Sequence, residues 1–382
     1  MVPTRAVWRG RWALPVAAAG FATATLLTSC AGWRSVQPPP PVPGPTPVGP
    51  PALTSFSVGV GAPWLAVAPD GRRVYAVNGN LTIIDTAANA VLDARAVDAA
   101  TTHIAIAPDG SRLYMTGLMS GMLTVYDTVR DELTTPVKLY EPYFHGRLAA
   151  APDNRSLYVA DTQRRALAII DVTRGRSRLL TPSVAPYDVA VSRDGRTVYG
   201  AGCKKSCAPG YIQRFDAATQ EFGAELQIAA NPFRIILSPD GQRAYVVHLG
   251  PPSVSVVDLG AWRVIATVPL PRTASELSTP NEAAISPDGA TLYVTAQQAG
   301  KVIVIDTASA AVRAQLAVPL AYDVALAPDG SRLYVSTAGE VAKDLTAEEA
   351  RKGLNRGREF GDMTAQISGS AHVLVLATRP AQ

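Results

Sequence analysis

The sequence predicts an all-β chain that folds as a seven-bladed β-propeller with four strands in each blade. A turn followed by a tyrosine-centred strand occurs seven times, as in "APDGRRVYAV" and "SPDGATLYVT". The turn aspartates are Asp70, Asp109, Asp153, Asp194, Asp240, Asp288 and Asp329. A period of about 40–45 residues with several short strands per unit is typical of a propeller.

Each unit divides into four predicted strands, a to d. Strand a is an apolar run before the turn, strand b holds the tyrosine, strand c ends in Asp, and strand d follows that Asp. Pro-Asp-Gly suits a tight a–b turn, and the Asp after strand c suits an Asx-type turn. We therefore expect the repeated tyrosines to pack between blades and the repeated aspartates to form turns, rather than to carry function.

The repeat also resembles a known family. The stretch "SPDGATLYVT…VIVIDTASAAV" at 286–312 is similar to the repeat of the YVTN family of seven-bladed propellers, which occur in bacterial and archaeal surface and envelope proteins. The resemblance covers about residues 52–378. It implies the fold but no function, because one propeller fold serves many chemistries.

The seventh unit lacks its last strand. It has a strand a at 322–327, a strand b at 332–336 and a strand c at 371–378, and then the chain ends. Residues 52–60, "ALTSFSVGV", precede the first unit and match strand d in pattern. We predict that 52–60 completes blade seven, because pairing the two ends removes an exposed sheet edge. The propeller would then span 52–382, with an insertion at 338–370.

The first 29 residues have the features of an export signal. Three arginines precede an apolar run at 13–27 that is short for a membrane span. "LTSC", ending at Cys30, resembles the lipobox of bacterial lipoproteins, which implies cleavage before Cys30 and lipidation of its thiol. The alternative is an ordinary secretory signal with an incidental cysteine. The Pro-rich tract at 36–51 favours extended polyproline II, so 30–51 reads as a tether or as a disordered tail.

Charge and compartment follow from this division. The formal net charge is +4, and residues 1–29 hold three arginines and no acid, so the remainder carries 4 − 3 = +1. That balance offers no electrostatic reason to expect nucleic-acid binding. We expect a protein held by lipid on the extracytoplasmic side of a bacterial envelope. Ala31, where Asp would favour inner-membrane retention, points to the outer membrane.

Length variation is concentrated on one predicted face. The a–b and c–d turns are uniform, whereas the b–c and d–a loops vary at 139–147, 203–210, 269–281 and 338–370. Drift would scatter insertions over both faces, so a one-sided distribution favours a binding face. "LTAEEARKGLNRG" within 338–370 predicts a short charged helix capped by Thr346. Three interpretations fit this insertion: a lid, a contact for a partner, or a long surface loop without a function.

Polar and aromatic residues occur where the seven a strands begin, at the mouth of the central channel. The residues five positions before the turn proline or its equivalent are Trp64, His103, Arg147, Asp188, Arg234, Glu282 and Asp323. Such a ring is either a site for a polar ligand or peptide, or the lining of a hydrated channel. Its three carboxylates could hold Ca²⁺, as in the propeller lactonases, but the two ring arginines argue against a simple cation site.

Cysteine and histidine patterns indicate neither a metal nor a cofactor. The four histidines, His103, His145, His248 and His372, lack ligand-like spacing. With Cys30 lipidated, Cys203 and Cys207 remain, and in an exported protein they most simply form a disulfide. A redox site would favour C-x-x-C, and a metal site would need further cysteines.

Three functions fit these observations. The first is an envelope lipoprotein that binds or scaffolds a protein, peptide or glycan through its loop-elaborated face. The second is a lactonase- or lyase-like enzyme with its site at the channel mouth, and the third is a subunit that supports a redox dehydrogenase. We favour the first, because the sequence shows no nucleophile–base pair, metal motif or cofactor fingerprint.

Overall fold

A computed structural model describes residues 54–60, 63–97, 101–117, 121–134, 137–138, 146–271, 280–337 and 370–378. The predicted signal, Cys30 and the Pro-rich tether lie outside these residues. So do His145 and most of three predicted loop elaborations, at 139–145, 272–279 and 338–369, including the predicted helix.

The described chain confirms the predicted architecture: seven antiparallel sheets form the blades, and each follows the order a-b-c-d. The strands of blades 1 to 3 are β2 (Trp64–Val67), β3 (Arg73–Val77), β4 (Asn80–Asp85), β5 (Ala90–Ala96), β6 (Thr101–Ile106), β7 (Arg112–Gly117), β8 (Met122–Asp127), β9 (Glu132–Leu133), β10 (Val137–Lys138), β11 (Gly146–Ala150), β12 (Ser156–Asp161), β13 (Ala166–Asp171) and β14 (Arg176–Leu180).

The remaining blades follow the same order in the chain. The strands of blades 4 to 7 are β15 (Ala185–Val191), β16 (Thr197–Cys203), β17 (Gly210–Asp216), β18 (Glu221–Ile228), β19 (Pro232–Leu237), β20 (Arg243–Leu249), β21 (Pro252–Asp258), β22 (Arg263–Pro269), β23 (Pro280–Ile285), β24 (Thr291–Ala296), β25 (Lys301–Asp306), β26 (Ala311–Ala317), β27 (Ala321–Leu326), β28 (Arg332–Thr337), β29 (Ser370–Ala377) and β1 (Thr54–Val60). Among the described residues, helix is limited to one 3₁₀ turn, Gln297–Ala299.

Blade 2 departs from the uniform pattern in its outermost strand. Two short strands, β9 and β10, both pair with β8 and together take the place of strand d. Leu133 lies opposite Tyr126 and Val137 lies opposite Leu123, so both segments pair along the same edge of β8.

The first strand closes the ring, as the sequence predicts. β1 pairs antiparallel with β29, with Thr54 opposite Val375 and Phe56 opposite Val373. The last blade thus takes three strands from the end of the chain and one from its beginning. This pairing covers the edge that β29 would otherwise expose.

The repeated tyrosines pack between blades. Tyr75 of blade 1 belongs to a buried cluster with Leu113 and Met115 of blade 2. Tyr334 of blade 7 packs with Val74 and Ala76 of blade 1 in the same way. Each tyrosine therefore contributes to the core that it shares with the next blade, and the position is structural.

The a–b turns also contact one another around the ring. A Cβ atom placed on Gly110 would lie 3.2 Å from Cδ of Pro69, so the turn proline of blade 1 packs on the turn glycine of blade 2. Gly195 and Pro152 make the same contact between blades 4 and 3. These glycines have positive φ, which favours glycine at this position for both conformation and space, although blade 3 has Asn154 there with φ of 52°.

The turn aspartates cap the same turns. The carboxylate of Asp70 accepts the backbone N–H of Arg72 at 2.9 Å, and the other six turn aspartates make the equivalent bond. At the c–d turn, Asp85 accepts the N–H groups of Ala87 and Ala88, and Thr86 donates to the carbonyl of Gly71. The prediction of turn-forming aspartates is confirmed.

Strand order places the two kinds of connection on opposite faces. The a–b and c–d turns lie on one face, here called the turn face, and the b–c and d–a connections lie on the other, the loop face. β1 begins opposite Val375 near the turn-face end of β29 and ends opposite Ser370 near its loop-face end. The chain therefore enters the propeller from the turn face.

One turn lacks the proline that the others share, and this generates a prediction. Arg193 replaces proline in blade 4, and a Cβ on the following Gly241 would meet nothing within 4 Å. The turn keeps the usual hydrogen bond from Gly195 N–H to Ser192 C=O, at 2.8 Å. We expect Arg193→Pro to raise the free energy of unfolding by about 0.5–1 kcal/mol, because proline restricts the unfolded chain and fills this space. Urea unfolding measures the change.

The matched control is Pro239→Ala, which removes the equivalent contact to Gly289 and should lower stability. A loss of stability in Arg193→Pro would show that the blade 4 turn differs in backbone conformation from the other six.

Candidate functional site

The seven ring residues predicted from the sequence do gather at the loop-face end of the innermost strands. Direct contacts connect six of them, and the seventh, Asp323, bonds to the backbone beside Trp64. Phe233 and Tyr322 join the same assembly. These nine residues are called the mouth cluster below.

Ion pairs form the centre of the mouth cluster. Arg147 of blade 3 pairs with Glu282 of blade 6, a blade that is not its neighbour. Glu282 also pairs with Arg234 of blade 5 at 3.1 Å, and Arg234 pairs with Asp188 of blade 4 at 2.8 Å. One continuous network of alternating charge therefore connects blades 3, 4, 5 and 6 across the channel.

Two aromatic rings contact the guanidinium of Arg147. Its Cζ lies 4.6 Å from the ring centroid of Phe233 in blade 5 and 5.3 Å from that of Trp64 in blade 1. The Trp64 ring contacts His103 at 4.5 Å and Tyr322 at 5.1 Å between centroids. Such cation–π contacts are strongest when water is excluded, and Arg147 is only 6% exposed.

Two ring aspartates join neighbouring blades through the backbone. Asp188 accepts the N–H of Ile235 at 2.8 Å and that of its own successor Val189 at 2.9 Å. Asp323 likewise accepts the N–H of Leu65 at 2.7 Å and that of Val324. Each carboxylate thus ties its own strand a to strand a of the next blade. Asp323 makes this bond across the junction of blades 7 and 1, where the ring closes.

A short repeated pattern in the sequence marks the two aspartates that bond to the next blade. The tetrapeptide Tyr-Asp-Val-Ala occurs twice, at 187–190 and at 322–325, and in both copies the Asp makes the same pair of bonds. Polar residues in strand b give a second signal. Thr295 donates to the carbonyl of Tyr322 in the next blade at 2.9 Å, and Ser336 accepts the N–H of Asp323 at 3.0 Å.

Burial and charge shift the pKa values in the mouth cluster. Burial, followed by the nearby carboxylate of Glu282, raises the pKa of Asp323 to about 7. Burial also raises the pKa of the Tyr322 hydroxyl, and Glu282 adds to that shift. Burial opposes the charge on Arg234, but Asp188 and Glu282 outweigh it and raise the pKa of its guanidinium. Arg234 is thus held in its charged form, and Asp323 titrates near neutrality.

The ion-pair network does not include the two cysteines or the histidines of β20 and β29 that the sequence analysis considered. Cys203 and Cys207 form a disulfide in the b–c connection of blade 4. His248 is fully buried between the carbonyl of Ala230 and the hydroxyl of Ser255, and burial lowers its pKa to about 4. His372 lies in β29, opposite Ser57 and Thr337. The described histidines therefore do not converge on one point.

The described residues contain no group of three or more His, Cys, Asp or Glu side chains that could hold a metal ion. In the same residues, no helix is long and apolar enough to cross a membrane. A depression of about 330 Å³ lies on the turn face between blades 1 and 7, and Asp70, Asp329 and Arg332 contribute to its lining.

The fold and its mouth define a seven-bladed β-propeller whose channel entrance is crossed by ion pairs and aromatic contacts between blades. No protein-family profile matches the chain, and no curated protein matches it. Solved structures do match. A chain of Kuenenia stuttgartiensis hydrazine synthase is similar with a TM-score of 0.66 at 20% identity, over 74% of this chain and 94% of that one.

At 20% identity this likeness supports the fold alone. Similar structures number 1545 chains, so the likeness does not select a function. The resemblance to the YVTN family stays a prediction.

The central pair generates a stability prediction. Arg147→Met keeps much of the side-chain volume but leaves Glu282 buried with one partner fewer. We expect the free energy of unfolding to fall by about 3–5 kcal/mol, because breaking a buried pair leaves an uncompensated charge. Chemical denaturation measures the loss.

Arg130→Met is the matched control, because Arg130 pairs with Asp127 at 2.9 Å but its side chain is 73% exposed. This change should cost less than about 1 kcal/mol. Equal losses in the two variants would mean that the cross-channel pair stabilises the fold no more than an exposed ion pair does.

Asp323 generates a pH prediction. Its pKa is about 7 in the folded chain and 3.8 ordinarily, so the folded state holds the extra proton between these values. Relative to Asp323→Asn, the native chain should therefore lose stability as pH rises from about 4 to 7, by at most about 1.4 kcal/mol per pH unit. Below pH 4 and above pH 7 the difference should be constant.

Urea unfolding of both chains across this range tests the effect. A difference that does not vary between pH 4 and 7 would show that the N–H groups of Leu65 and Val324 keep Asp323 ionised at its ordinary pKa.

Proposed function

We propose that this protein is a lipid-anchored propeller of the bacterial envelope that binds a protein partner through its loop face. One observation carries the binding half of the proposal: side chains from blades 1, 5 and 6 contact Arg147 of blade 3 across the channel mouth, and Tyr322 of blade 7 packs on Trp64. An entrance crossed by such contacts favours recognition on the outer surface of the loop face over entry of a small substrate into the channel.

The position of β1 supports the same proposal. The chain enters β1 from the turn face, so a tether that ends there joins the propeller opposite the longer loops. Residues 31–53 can span at most about 80 Å when fully extended. We therefore expect a partner to use the loop face rather than the turn face, where β1 begins.

Asp323 is the observation that favours the enzymatic alternative, because a carboxyl group with a pKa near 7 suits proton transfer. However, both of its oxygens already accept backbone N–H groups, from Leu65 and Val324. Asp323 is also only 7% exposed. Its bonds support a structural role at the ring closure more than a role in chemistry.

The anchor is tested by Cys30→Ser. We expect this variant to move from the membrane fraction to the soluble fraction, because a lipid chain attached through the thiol would be lost. Cys207→Ser, which breaks the Cys203–Cys207 disulfide but keeps Cys30, should stay with the membranes. A Cys30→Ser chain that remained membrane-bound would contradict the lipoprotein assignment.

The binding half is tested by cross-linking in intact cells, followed by purification of the full chain and of a chain lacking 340–368. We expect the deletion to reduce recovery of specific partners, because it removes the longest predicted elaboration of the loop face. Substitutions on the turn face, such as Arg174→Gln, should leave recovery unchanged. Partner recovery that depended on the turn face instead would overturn the proposed binding surface.

A further inference from the structure

The described connections of the loop face have an uneven charge distribution. They comprise residues 63, 78–79, 97, 121, 162–165, 181–184, 204–209, 229–231, 250–251, 270–271, 297–300 and 318–320. The charged side chains in these connections are Arg164, Arg165, Lys204 and Lys205. All four are cationic, and all lie in the b–c connections of the adjacent blades 3 and 4. They are called the basic rim below.

Contacts hold the two loops of the basic rim together. The guanidinium of Arg165 donates to the backbone carbonyls of Lys204 and Cys203. The Cys203–Cys207 disulfide closes the loop of blade 4, and the carbonyl of Cys207 accepts the N–H of Asn231 at 2.8 Å. The cations are therefore presented from a constrained surface, which reduces the entropy lost when a partner binds.

Local acids neutralise only part of this charge. Arg164 pairs with Asp161 at 3.1 Å, and Lys204 pairs with Glu225 at 2.5 Å. Within the described part of the chain, no carboxylate pairs with Arg165 or Lys205. The basic rim thus keeps a net positive charge of about two at neutral pH.

Aromatic side chains adjoin the cations. Tyr187, at the mouth end of blade 4, is 39% exposed, and its hydroxyl lies 3.9 Å from Sγ of Cys207. The ammonium of Lys204 lies 4.5 Å from the centroid of the Tyr211 ring. Tyrosine and arginine are the residue types most enriched where protein partners bind strongly.

We propose that the basic rim, together with Tyr187, binds an acidic segment of a protein partner. This inference rests on the proposed function and names the chemistry and the place of the contact. The cations are distributed along the b–c connections of two neighbouring blades. A run of carboxylates matches that distribution, and Tyr187 offers an apolar surface for a side chain of the same segment.

The test uses the full chain in non-ionic detergent and a fluorescein-labelled Glu-rich peptide, with fluorescence anisotropy at low and physiological salt. We expect saturable binding that weakens with salt. The double variant K204Q/K205Q should bind about tenfold more weakly, because it removes two surface charges. K205E leaves the Lys204–Glu225 pair intact and should also weaken binding, which guards against a folding defect in the double variant.

The matched control is R174Q/R176Q, which removes the same charge from the turn face and should bind like the native chain. Equal weakening in the two double variants would overturn the proposal, because the net charge of the chain would then explain the binding. Equal binding of a peptide with Gln in place of Glu would also overturn it, because non-specific adsorption would then explain the anisotropy. Absence of saturable binding at low salt would overturn it as well. Displacement of the peptide by inorganic phosphate or by phosphatidylglycerol vesicles at lower concentration would assign the rim to phosphate groups instead.

These outcomes separate from those of the proposed function. Suppose K204Q/K205Q loses the peptide but keeps its cross-linked partners and its membrane attachment. The proposal that the basic rim binds the partner is then wrong, and the proposed binding role in the envelope is unaffected.

Discussion

The buried pair between Arg147 and Glu282 is the interaction on which the centre of this propeller depends. It spans the channel between two blades that are not neighbours, and the same guanidinium packs on rings from two further blades. Burying such charges is costly unless each finds its partner and its hydrogen bonds. The alternating pairs from Arg147 through Glu282 and Arg234 to Asp188 give each charge an opposite partner, although the buried Nε of Arg234 makes no hydrogen bond.

Equivalent positions in the seven repeats serve different purposes. In blades 4 and 7 the residue at the start of strand a is Asp, and it bonds to the backbone of the next blade. In blades 3 and 6 the same position carries Arg147 and Glu282, which reach across the channel instead. The repeated strands and turns therefore form the ring. The residue at the start of strand a varies, and it forms either a contact with the next blade or the ion pair across the channel.

Inter-blade turn contacts and loop variation lie on opposite faces of the ring. On the turn face, prolines and glycines of neighbouring blades pack together, and each aspartate caps its own turn, so substitution there disturbs the ring. The loop-face connections differ in length from blade to blade, and exposed loops accept such changes at little cost to the fold.

The seven blades, the inter-blade tyrosines, the turn aspartates and the closing strand were predictable from the amino-acid sequence, because these features repeat and depend on local pattern. The same pattern placed the seven ring residues at one end of the innermost strands. Their separate roles could not be predicted in this way. Whether Asp188 bonds to the next blade or Arg147 crosses the channel depends on distances between strands far apart in sequence, and no periodic pattern encodes those distances.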